Sequence, residues 1–214
     1  MIFVLDKQPS IARKFIAELR DIDLQKNRPR FRANLERIGH LLAYELSKNL
    51  VYTPTKVDTP LGTAATELPT QDIVIGTILR AGLPIHHGCL TYFEHAESTF
   101  ISAHRKHHKS GQFHIEIAHI SSPNLEDKVL ILTDAMLATG ASVVLSLQRL
   151  LEYGTPAQIH VVAAIAAEEG IEAVQQHFPE ADIWVGAMDA ELTARAYIVP
   201  GLGDAGDLAF GQKL

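Results

Sequence analysis

Features that would mark a secreted or membrane-bound protein are scarce in this sequence. It has a single cysteine, Cys89, which cannot form an internal disulfide, so nothing points to an oxidising compartment. The apolar run before Asp6 has only five residues, which is too short for the hydrophobic region of a signal peptide. No stretch approaches the roughly 20 apolar residues of a membrane span. We therefore expect a soluble, cytoplasmic protein with no membrane partner.

An excess of positive charge is also missing. Nineteen Lys and Arg residues against 25 Asp and Glu residues give a net charge of −6 with histidine neutral. Sequence-independent binding to nucleic acid needs a basic surface, so we expect no nucleic-acid partner. The hydrophobic content of 47% and the charged content of 21% are those of a globular protein. With 214 residues and no repeat or linker, the chain predicts a single domain over residues 1–214.

An alternation of apolar strands and amphipathic helices begins at residue 73. The run Ile73–Leu79 is apolar throughout, which is typical of a strand buried on both faces. Further strands are predicted at 99–103, 129–133, 159–166 and 183–187, and helices at 81–95, 142–153 and 171–178. This alternation predicts an α/β fold with an open, mainly parallel sheet and flanking helices.

The segments outside this alternation predict three additions. Residues 11–21, with Ser10 as N-cap, and residues 31–49 predict an N-terminal helical pair. Proline and glycine interrupt 51–64, so this segment predicts at most a short edge strand and a loop. Residues 114–121 alternate apolar and polar side chains, which is typical of an antiparallel hairpin arm. The apolar face of the second helix favours a homo-oligomer, a dimer or larger.

The junction after strand 129–133 carries the clearest chemical signal. Asp134 follows the strand, and the small-residue loop 138–142 leads into a helix. Such a loop presents backbone N–H groups and the positive end of the helix dipole to one point, as a phosphate requires. The Walker and dinucleotide glycine patterns are both missing. A tight turn capped by Thr139 or Ser142 is the structural alternative, and the spacing alone leaves both open.

Asp134 favours the phosphate interpretation. A carboxylate beside a phosphate is electrostatically unfavourable unless it serves a sugar hydroxyl or a metal ion. An aspartate next to a phosphate loop therefore suits a ribose 5-phosphate.

The segment VLILTDAMLATGASVV at 129–144 resembles the phosphoribosyl-pyrophosphate motif of type I phosphoribosyltransferases, in the form found in the uracil phosphoribosyltransferase family. Two further stretches are similar to that family, ILRAGL at 78–83 and VAAIAAEEG at 162–170. The most specific is YIVPGLGDAGD at 197–207, followed by Phe210 and Gly211. The resemblance covers nearly the whole chain, including LRD at 19–21 and the region 31–45.

The resemblance implies an enzyme of pyrimidine salvage. Such an enzyme transfers the phosphoribosyl group of phosphoribosyl pyrophosphate to uracil N1, giving UMP and pyrophosphate. Catalytic roles are implied for Arg80, Asp134 and Asp204. The residues implied to bind phosphoribosyl pyrophosphate are Arg80, Arg105, Asp134, Ala135, Met136, Leu137, Ala138, Thr139, Gly140, Ala141, Ser142 and Asp204. Those implied to bind uracil are Ile198, Gly203, Asp204 and Ala205, largely through backbone groups.

The resemblance further implies Mg²⁺, held mainly by the substrate pyrophosphate and not by direct side-chain ligation, and activation by GTP. The histidines of a basic run offer a different metal site. They are His104, His107, His108 and His114. Interleaved Lys and Arg would repel a cation, however, and no carboxylate or cysteine completes the set. We favour a basic hairpin that folds over the pyrophosphate.

Three positions depart from the family's form. Ala135 replaces proline, Ala141 replaces glycine and Leu208 replaces arginine. If position 141 needs a positive φ, alanine there costs about 1–2 kcal/mol. A non-catalytic binding module is therefore an alternative, as is a nucleotide-sensing regulator that binds RNA or a partner protein. The charge of −6 speaks against RNA. Formation of UMP from labelled uracil would separate the enzyme from both alternatives.

Overall fold

A seven-stranded sheet lies at the centre of the structure, which is a computed structural model. The structure describes the backbone of residues 1–107 and 113–213, and it describes the side chains of these residues except those of 104–115. The elements, in chain order, are β1 (Ile2–Val4), α1 (Ala12–Arg20), α2 (Arg28–Ser47), β2 (Tyr52–Thr59), β3 (Gly62–Pro69), β4 (Ile73–Leu79), α3 (Leu83–Tyr92), β5 (Glu97–His107), β6 (Phe113–Ser121), β7 (Val129–Leu137), α4 (Ala141–Leu150), β8 (Gln158–Ala167), α5 (Glu168–His177), β9 (Asp182–Asp189), β10 (Glu191–Leu192), β11 (Ile198–Val199) and α6 (Ala205–Phe210). Short 3₁₀ helices lie at Leu5–Lys7, Leu24–Lys26 and Leu151–Tyr153.

The strands of the large sheet lie in the order β1-β9-β8-β7-β4-β5-β6. Neighbouring strands are parallel except β5 and β6, which pair as an antiparallel hairpin. The predicted α/β fold with an open, mainly parallel sheet is therefore confirmed. The antiparallel arm predicted at 114–121 is confirmed as β6.

Helices cover both faces of the sheet because its central strands are apolar on both sides. On one face, Ile75 of β4 and Ile131 of β7 pack in a cluster with α1, α2 and α3. On the other face, Leu130 and Leu132 of β7 pack with α4 and α5. Neighbouring residues of one strand thus enter opposite clusters, and this explains why the strand sequences are apolar without alternation.

The N-terminal helical pair is confirmed, and polar side chains mark its two starts. Ser10 Oγ accepts a hydrogen bond from the backbone N–H of Ala12 at 3.3 Å, at the start of α1. Asn27 Oδ1 accepts one from the N–H of Arg30 at 3.0 Å and caps α2. Each side chain satisfies a donor that the first helical turn leaves unpaired.

The apolar face of α2 is buried inside the chain. Leu35, Ile38 and Leu42 on this face are fully buried in the core. Gly88 of α3 lets that helix lie directly on α2, since a Cβ at Gly88 would come within 2.2 Å of the Glu36 carbonyl oxygen. This face is therefore not a free subunit contact, and it does not support the prediction of an oligomer.

In the described part of the chain, no helix is long and apolar enough to cross a bilayer.

The prediction of at most a short edge strand for 51–64 is wrong. β2 and β3 are eight residues each and form a separate antiparallel hairpin, which is largely exposed. Proline has no backbone N–H to donate to a neighbouring strand, so within sheets it is confined to edge strands. Both strands of a two-stranded ribbon are edge strands, and Pro54 can therefore lie in β2. Pro60 lies in the turn between the strands, where a proline is compatible with the hairpin.

Three shorter elements also differ from the prediction. β1 is a three-residue edge strand that pairs in parallel with β9, and it is too short to show a period. β7 continues past residue 133 to Leu137 because β8 pairs with it as far as Ala166. α6 forms within the glycine-rich C-terminal segment, with Asp204 as its N-cap.

Candidate functional site

A cleft of about 980 Å³ lies at the carboxyl ends of β4 and β7. From β4 the chain continues to β5, its neighbour towards one edge of the sheet, and from β7 it continues to β8, its neighbour towards the opposite edge. The two strands therefore flank the point where the strand order reverses, which is where open α/β sheets bind ligands. Residues from the ends of β4 and β7, the start of α4 and the C-terminal segment line this cleft.

The phosphate loop, residues 138–142, forms one wall of the cleft. Gly140 has φ +78° and immediately precedes α4, and Gly140, Ser142 and Val143 line the cleft. The first turn of a helix leaves N–H groups without partners inside the helix. Thr139 Oγ1 accepts a hydrogen bond from the N–H of Ala141 at 3.4 Å. The wall therefore combines backbone donors, two hydroxyl side chains and the positive end of a ten-residue helix.

Gly170 in the first turn of α5 supports the phosphate loop from behind. A Cβ at Gly170 would lie 2.4 Å from the carbonyl oxygen of Ala138 and 2.7 Å from that of Leu137. Gly140 is equally confined, because a Cβ there would come within 2.8 Å of the Gly170 carbonyl oxygen. The backbones of the loop and α5 therefore pack directly against each other, which fixes the position of the loop.

Ala141 is not strained by the loop. Among the described residues, positive φ angles outside glycine occur only at Asp127 and Ala196. Ala141 is the first residue of α4, its side chain is exposed and it does not line the cleft. The left-handed residue in this region is Gly140, so the replacement of glycine by alanine at 141 carries no conformational cost.

Asp134 lies within β7, is half-buried and lines the cleft. Its Oδ1 accepts a hydrogen bond from the N–H of Ala135 at 2.7 Å, which orients the carboxylate. Ala135 itself is fully buried in the core on the side of α2 and α3. The structure thus places the carboxylate in the cleft and the Ala135 side chain outside it.

Arg80 directly follows β4, lines the same cleft as Asp134 and lies in an ion pair. Its Nη2 is 3.0 Å from Oδ1 of Asp207. Both side chains are about one-third exposed, at 38% and 32%, so the pair contributes little stability and an anion can compete for the guanidinium. The peptide bond between Leu79 and Arg80 is cis.

Asp204 is, with Asp134, the second aspartate that lines the cleft. Its Oδ1 accepts the N–H of Asp207 at 3.0 Å, and Lys213 Nζ lies 3.9 Å from its Oδ2. Arg80 and Lys213 thus provide the cations that balance Asp207 and Asp204. Leu208, which replaces the family's arginine, packs partly buried against the core.

The base loop, residues 198–205, lines the cleft together with the phosphate loop. Ile198 and Ala205 are buried at its two ends. Gly203 has φ +95°, a conformation that strongly favours glycine. The resemblance implies that backbone groups of Ile198, Gly203 and Ala205 bind uracil, and all three residues line the cleft.

The structure brings together all the predicted site residues whose side chains are described, apart from Ala135 and Ala141. The backbone of Arg105 lies in β5, paired with Ile115, but its side chain falls outside the described residues, as do the histidines of the basic run. Within the described part of the chain, no group of three or more His, Cys, Asp or Glu residues is arranged to hold a metal ion.

Sequence reasoning missed two cationic residues of the cleft, Arg195 and Lys213. Both are exposed and lie in C-terminal loops without a periodic pattern, so their sequence positions give no sign of the cleft. Ala196, beside Arg195, has φ +59° in a turn closed by its N–H to the Thr193 carbonyl at 2.8 Å. An alanine in this conformation is a signal that appears only in the structure.

Known proteins are similar to this chain over nearly its full length. A family model described as uracil phosphoribosyltransferase matches residues 6–212. The uracil phosphoribosyltransferase of Porphyromonas gingivalis is 46% identical over 211 residues, covering 98% of each chain. That of Pyrococcus furiosus is 38% identical over 217 residues, covering 100% of this chain and 91% of the relative. Among solved structures, the AQ2163 protein from Aquifex aeolicus has a TM-score of 0.87 at 29% identity, covering 99% of this chain and 98% of that one.

Proposed function

The chain belongs to the uracil phosphoribosyltransferase family, and we propose that the cleft between the phosphate loop and the base loop is where it carries out that family's reaction. In this reaction uracil N1 forms a bond to C1 of 5-phospho-α-D-ribose 1-diphosphate. The bond from C1 to the pyrophosphate oxygen breaks, N1 loses its proton, and UMP and pyrophosphate are released in pyrimidine salvage. The observation that supports this site is the meeting of a phosphate loop, a carboxylate and an arginine in one cleft.

The phosphate loop binds the 5-phosphate of the substrate and of UMP. The backbone N–H groups at the start of α4 and the hydroxyls of Thr139 and Ser142 supply the donors. Asp134, which lines the same cleft, accepts hydrogen bonds from the ribose hydroxyls. The ribose is thereby held with its C1 directed towards the base loop, and fixing the two reactants in this way removes much of the entropic barrier.

The pyrophosphate leaves from the side of Arg80. Negative charge grows on its oxygens as the bond to C1 breaks, and a guanidinium positioned there stabilises that charge. Arg80 is then shared between Asp207 and the pyrophosphate, which is possible because the ion pair is partly exposed. We also assign Arg105 to the pyrophosphate, as the family resemblance implies.

The donor set of the cleft fits a Mg²⁺ ion held mainly by the substrate. Mg²⁺ usually binds one or two carboxylates together with substrate phosphates and water. The cleft offers Asp134 and Asp204, and the described residues hold no larger ligand cluster. These two carboxylates would hold the ion through water, and the bound ion would neutralise charge on the pyrophosphate. Activation by GTP stays a prediction from the resemblance.

The base loop selects uracil through backbone groups. Uracil presents an acceptor, a donor and an acceptor at O2, N3 and O4, whereas cytosine reverses two of the three. Backbone groups of Ile198, Gly203 and Ala205 cannot rotate to suit the wrong base, so cytosine would leave buried polar groups unpaired. A site of this kind can reject an analogue by roughly 10⁴-fold or more.

The departures from the family's form leave this cleft intact. Ala141 has no positive φ, and Leu208 lies against the core, so neither supports a non-catalytic module. We further propose that residues 1–214 form one domain and that the chain assembles as a dimer or larger. The exposed hairpin of β2 and β3, with Tyr52, Leu61 and Leu68 on its surface, is a candidate contact.

The test of this function is the formation of UMP from labelled uracil, phosphoribosyl pyrophosphate and Mg²⁺. The wild-type protein should produce UMP, and Asp134→Asn should fold normally but lose most of its turnover, because one of the two acceptor oxygens becomes an NH2 donor and the negative charge is lost. Asp58→Asn, in the exposed hairpin, is the matched control and should keep full activity. An Asp134→Asn protein with wild-type activity would remove this carboxylate from the site.

A further inference from the structure

A partly buried ion pair lies behind the base loop, outside the cleft. Arg20, the last residue of α1, donates two hydrogen bonds to the carboxylate of Asp189 at the end of β9, at 2.7 and 2.8 Å. The Asp189 side chain is only 7% exposed and that of Arg20 is 22% exposed. The fork of the guanidinium and the two carboxylate oxygens match in the bidentate geometry that makes such pairs strong and directional.

Both members of this pair also hold the backbone of Gly201 in the base loop. Asp189 Oδ2 accepts a hydrogen bond from the N–H of Gly201 at 2.9 Å, and Arg20 Nη1 donates one to its carbonyl oxygen at 3.0 Å. One peptide unit on each side of this residue is therefore fixed by a charged partner. Gly201 has φ +55°, and a Cβ there would lie 2.1 Å from the Ile198 carbonyl oxygen, so the loop turns tightly at this point.

The following carbonyl is held from the same side of the molecule. With its amide in the orientation that satisfies both neighbours, Gln25 Nε2 lies 2.9 Å from the Leu202 carbonyl oxygen and 3.1 Å from that of Leu19. Arg20 at the end of α1 and Gln25 in the segment that follows thus hold two successive residues of the base loop. The loop begins with β11, which pairs with β10 through only two residue pairs, and its Ile198, Leu202 and Ala205 are buried in the core.

We propose that Arg20 and Asp189 are positioning residues for base recognition: they fix Gly201 so that the backbone groups of Ile198 and Gly203 meet the edge of uracil. The proposal rests on the proposed role of the base loop. Backbone readers discriminate between bases only when they cannot move, and here the rigidity comes from a charged pair that does not line the cleft. The N-terminal helical pair is thereby part of the apparatus that selects the base.

The decisive experiment compares the Michaelis constants for the two substrates in Arg20→Lys. Lysine keeps the charge but cannot make the two bonds to Asp189 and the bond to Gly201 at once. We expect the KM for uracil to rise roughly 10-fold, the loss of about one charge-assisted hydrogen bond, while the KM for phosphoribosyl pyrophosphate changes less than about 2-fold.

Arg30→Lys is the matched control. Arg30 makes the same bidentate pair with the buried Glu18, at 2.9 and 2.7 Å, but it joins α1 to α2 away from the cleft. Arg30→Lys should lower the melting temperature and leave both Michaelis constants unchanged. If Arg20→Lys behaves in the same way, the ion pair is merely structural and the proposal is wrong.

Asp189→Asn provides a second route to the same test, because the amide has the size of the carboxylate but lacks its charge. This variant should also raise the KM for uracil selectively. If both residues act through Gly201, the double variant should raise that KM little beyond the larger single effect. Independent effects that multiply in the double variant would overturn the shared route through Gly201.

Gly203→Ala separates failure of this proposal from failure of the base loop itself. The added Cβ has open space, with Leu208 Cδ1 4.0 Å away, so its effect comes from the φ of +95° and falls on the loop backbone. A raised uracil KM in Gly203→Ala with no change in Arg20→Lys would overturn the positioning role alone. An unchanged uracil KM in Gly203→Ala would overturn the base loop as the reader, and the positioning role with it.

Discussion

Replacing Gly170 by alanine is expected to displace the phosphate loop, against the usual preference of helices for alanine. Gly170 has a negative φ in the first turn of α5, where alanine ordinarily stabilises by up to about 1 kcal/mol. Its Cβ would, however, lie 2.4 Å from the Ala138 carbonyl oxygen, about 1 Å short of ordinary van der Waals contact. Overpacking of this kind costs about 1–3 kcal/mol, so we expect a net loss of stability.

The displacement should appear in catalysis as well as in stability. A shift of about 1 Å in a group that positions the substrate can cost roughly 10²-fold in rate. We therefore expect the kcat/KM for phosphoribosyl pyrophosphate to fall roughly 10- to 100-fold. Steady-state kinetics with phosphoribosyl pyrophosphate varied at saturating uracil, together with thermal unfolding, measure both effects.

Gly88→Ala is the matched control for Gly170→Ala. Its Cβ would meet the Glu36 carbonyl oxygen at 2.2 Å, so the clash with backbone is of the same kind, but it lies between α2 and α3. Gly88→Ala should lower the melting temperature without changing the KM for phosphoribosyl pyrophosphate. A Gly170→Ala protein that melts higher than the wild type and keeps its kcat/KM would show that Gly170 does not fix the position of the phosphate loop.

The remaining predictions concern the leaving group, the loop and pH. Arg80→Ala should lower kcat/KM by about 2–4 kcal/mol of transition-state stabilisation, and wild-type kinetics in this variant would remove Arg80 from the site. Ala141→Gly should cost up to about 1 kcal/mol of stability in urea unfolding, because Ala141 starts α4 without strain and glycine only adds flexibility; a gain in stability would contradict this. Burial lowers the pKa of His86 and of His160 from 6.5 to about 4. As the pH falls, the unfolded chain binds these protons before the folded chain does. The free energy of unfolding should therefore be unaffected by these histidines above pH 6.5 and fall by up to about 3 kcal/mol per histidine as the pH drops to 4. Urea unfolding at pH 7 and pH 5 should show this decrease, and equal free energies of unfolding would exclude it.

The central strands and the phosphate loop could be predicted because their signals are local. Ile73–Leu79 is predicted to the residue, since a strand between two layers of helices must be apolar on both faces. The family motifs likewise placed Arg80, Asp134 and the base loop in one site, and the structure brings them to one cleft. Parallel strands that end at the same sheet edge make this convergence independent of the details of packing.

The elements that were missed depend on contacts distant in sequence. β1 exists because it pairs with β9, and the hairpin of β2 and β3 because each strand completes the other. The ion pair of Arg20 with Asp189 joins residues 169 positions apart, and no periodicity relates them. The apolar face of α2 was misleading for the same reason. It packs inside the chain, against the sheet and α3, and so gives no indication of a subunit contact.

A crystal structure of the protein with bound UMP shows whether the cleft is the active site. We expect the 5-phosphate at the backbone N–H groups of Thr139, Gly140 and Ser142 and the ribose hydroxyls at Asp134. We expect the O2, N3 and O4 edge of uracil against the backbone of Ile198, Gly203 and Ala205. UMP bound outside this cleft, or within it with the base directed away from the base loop, would show that these residues do not form the active site.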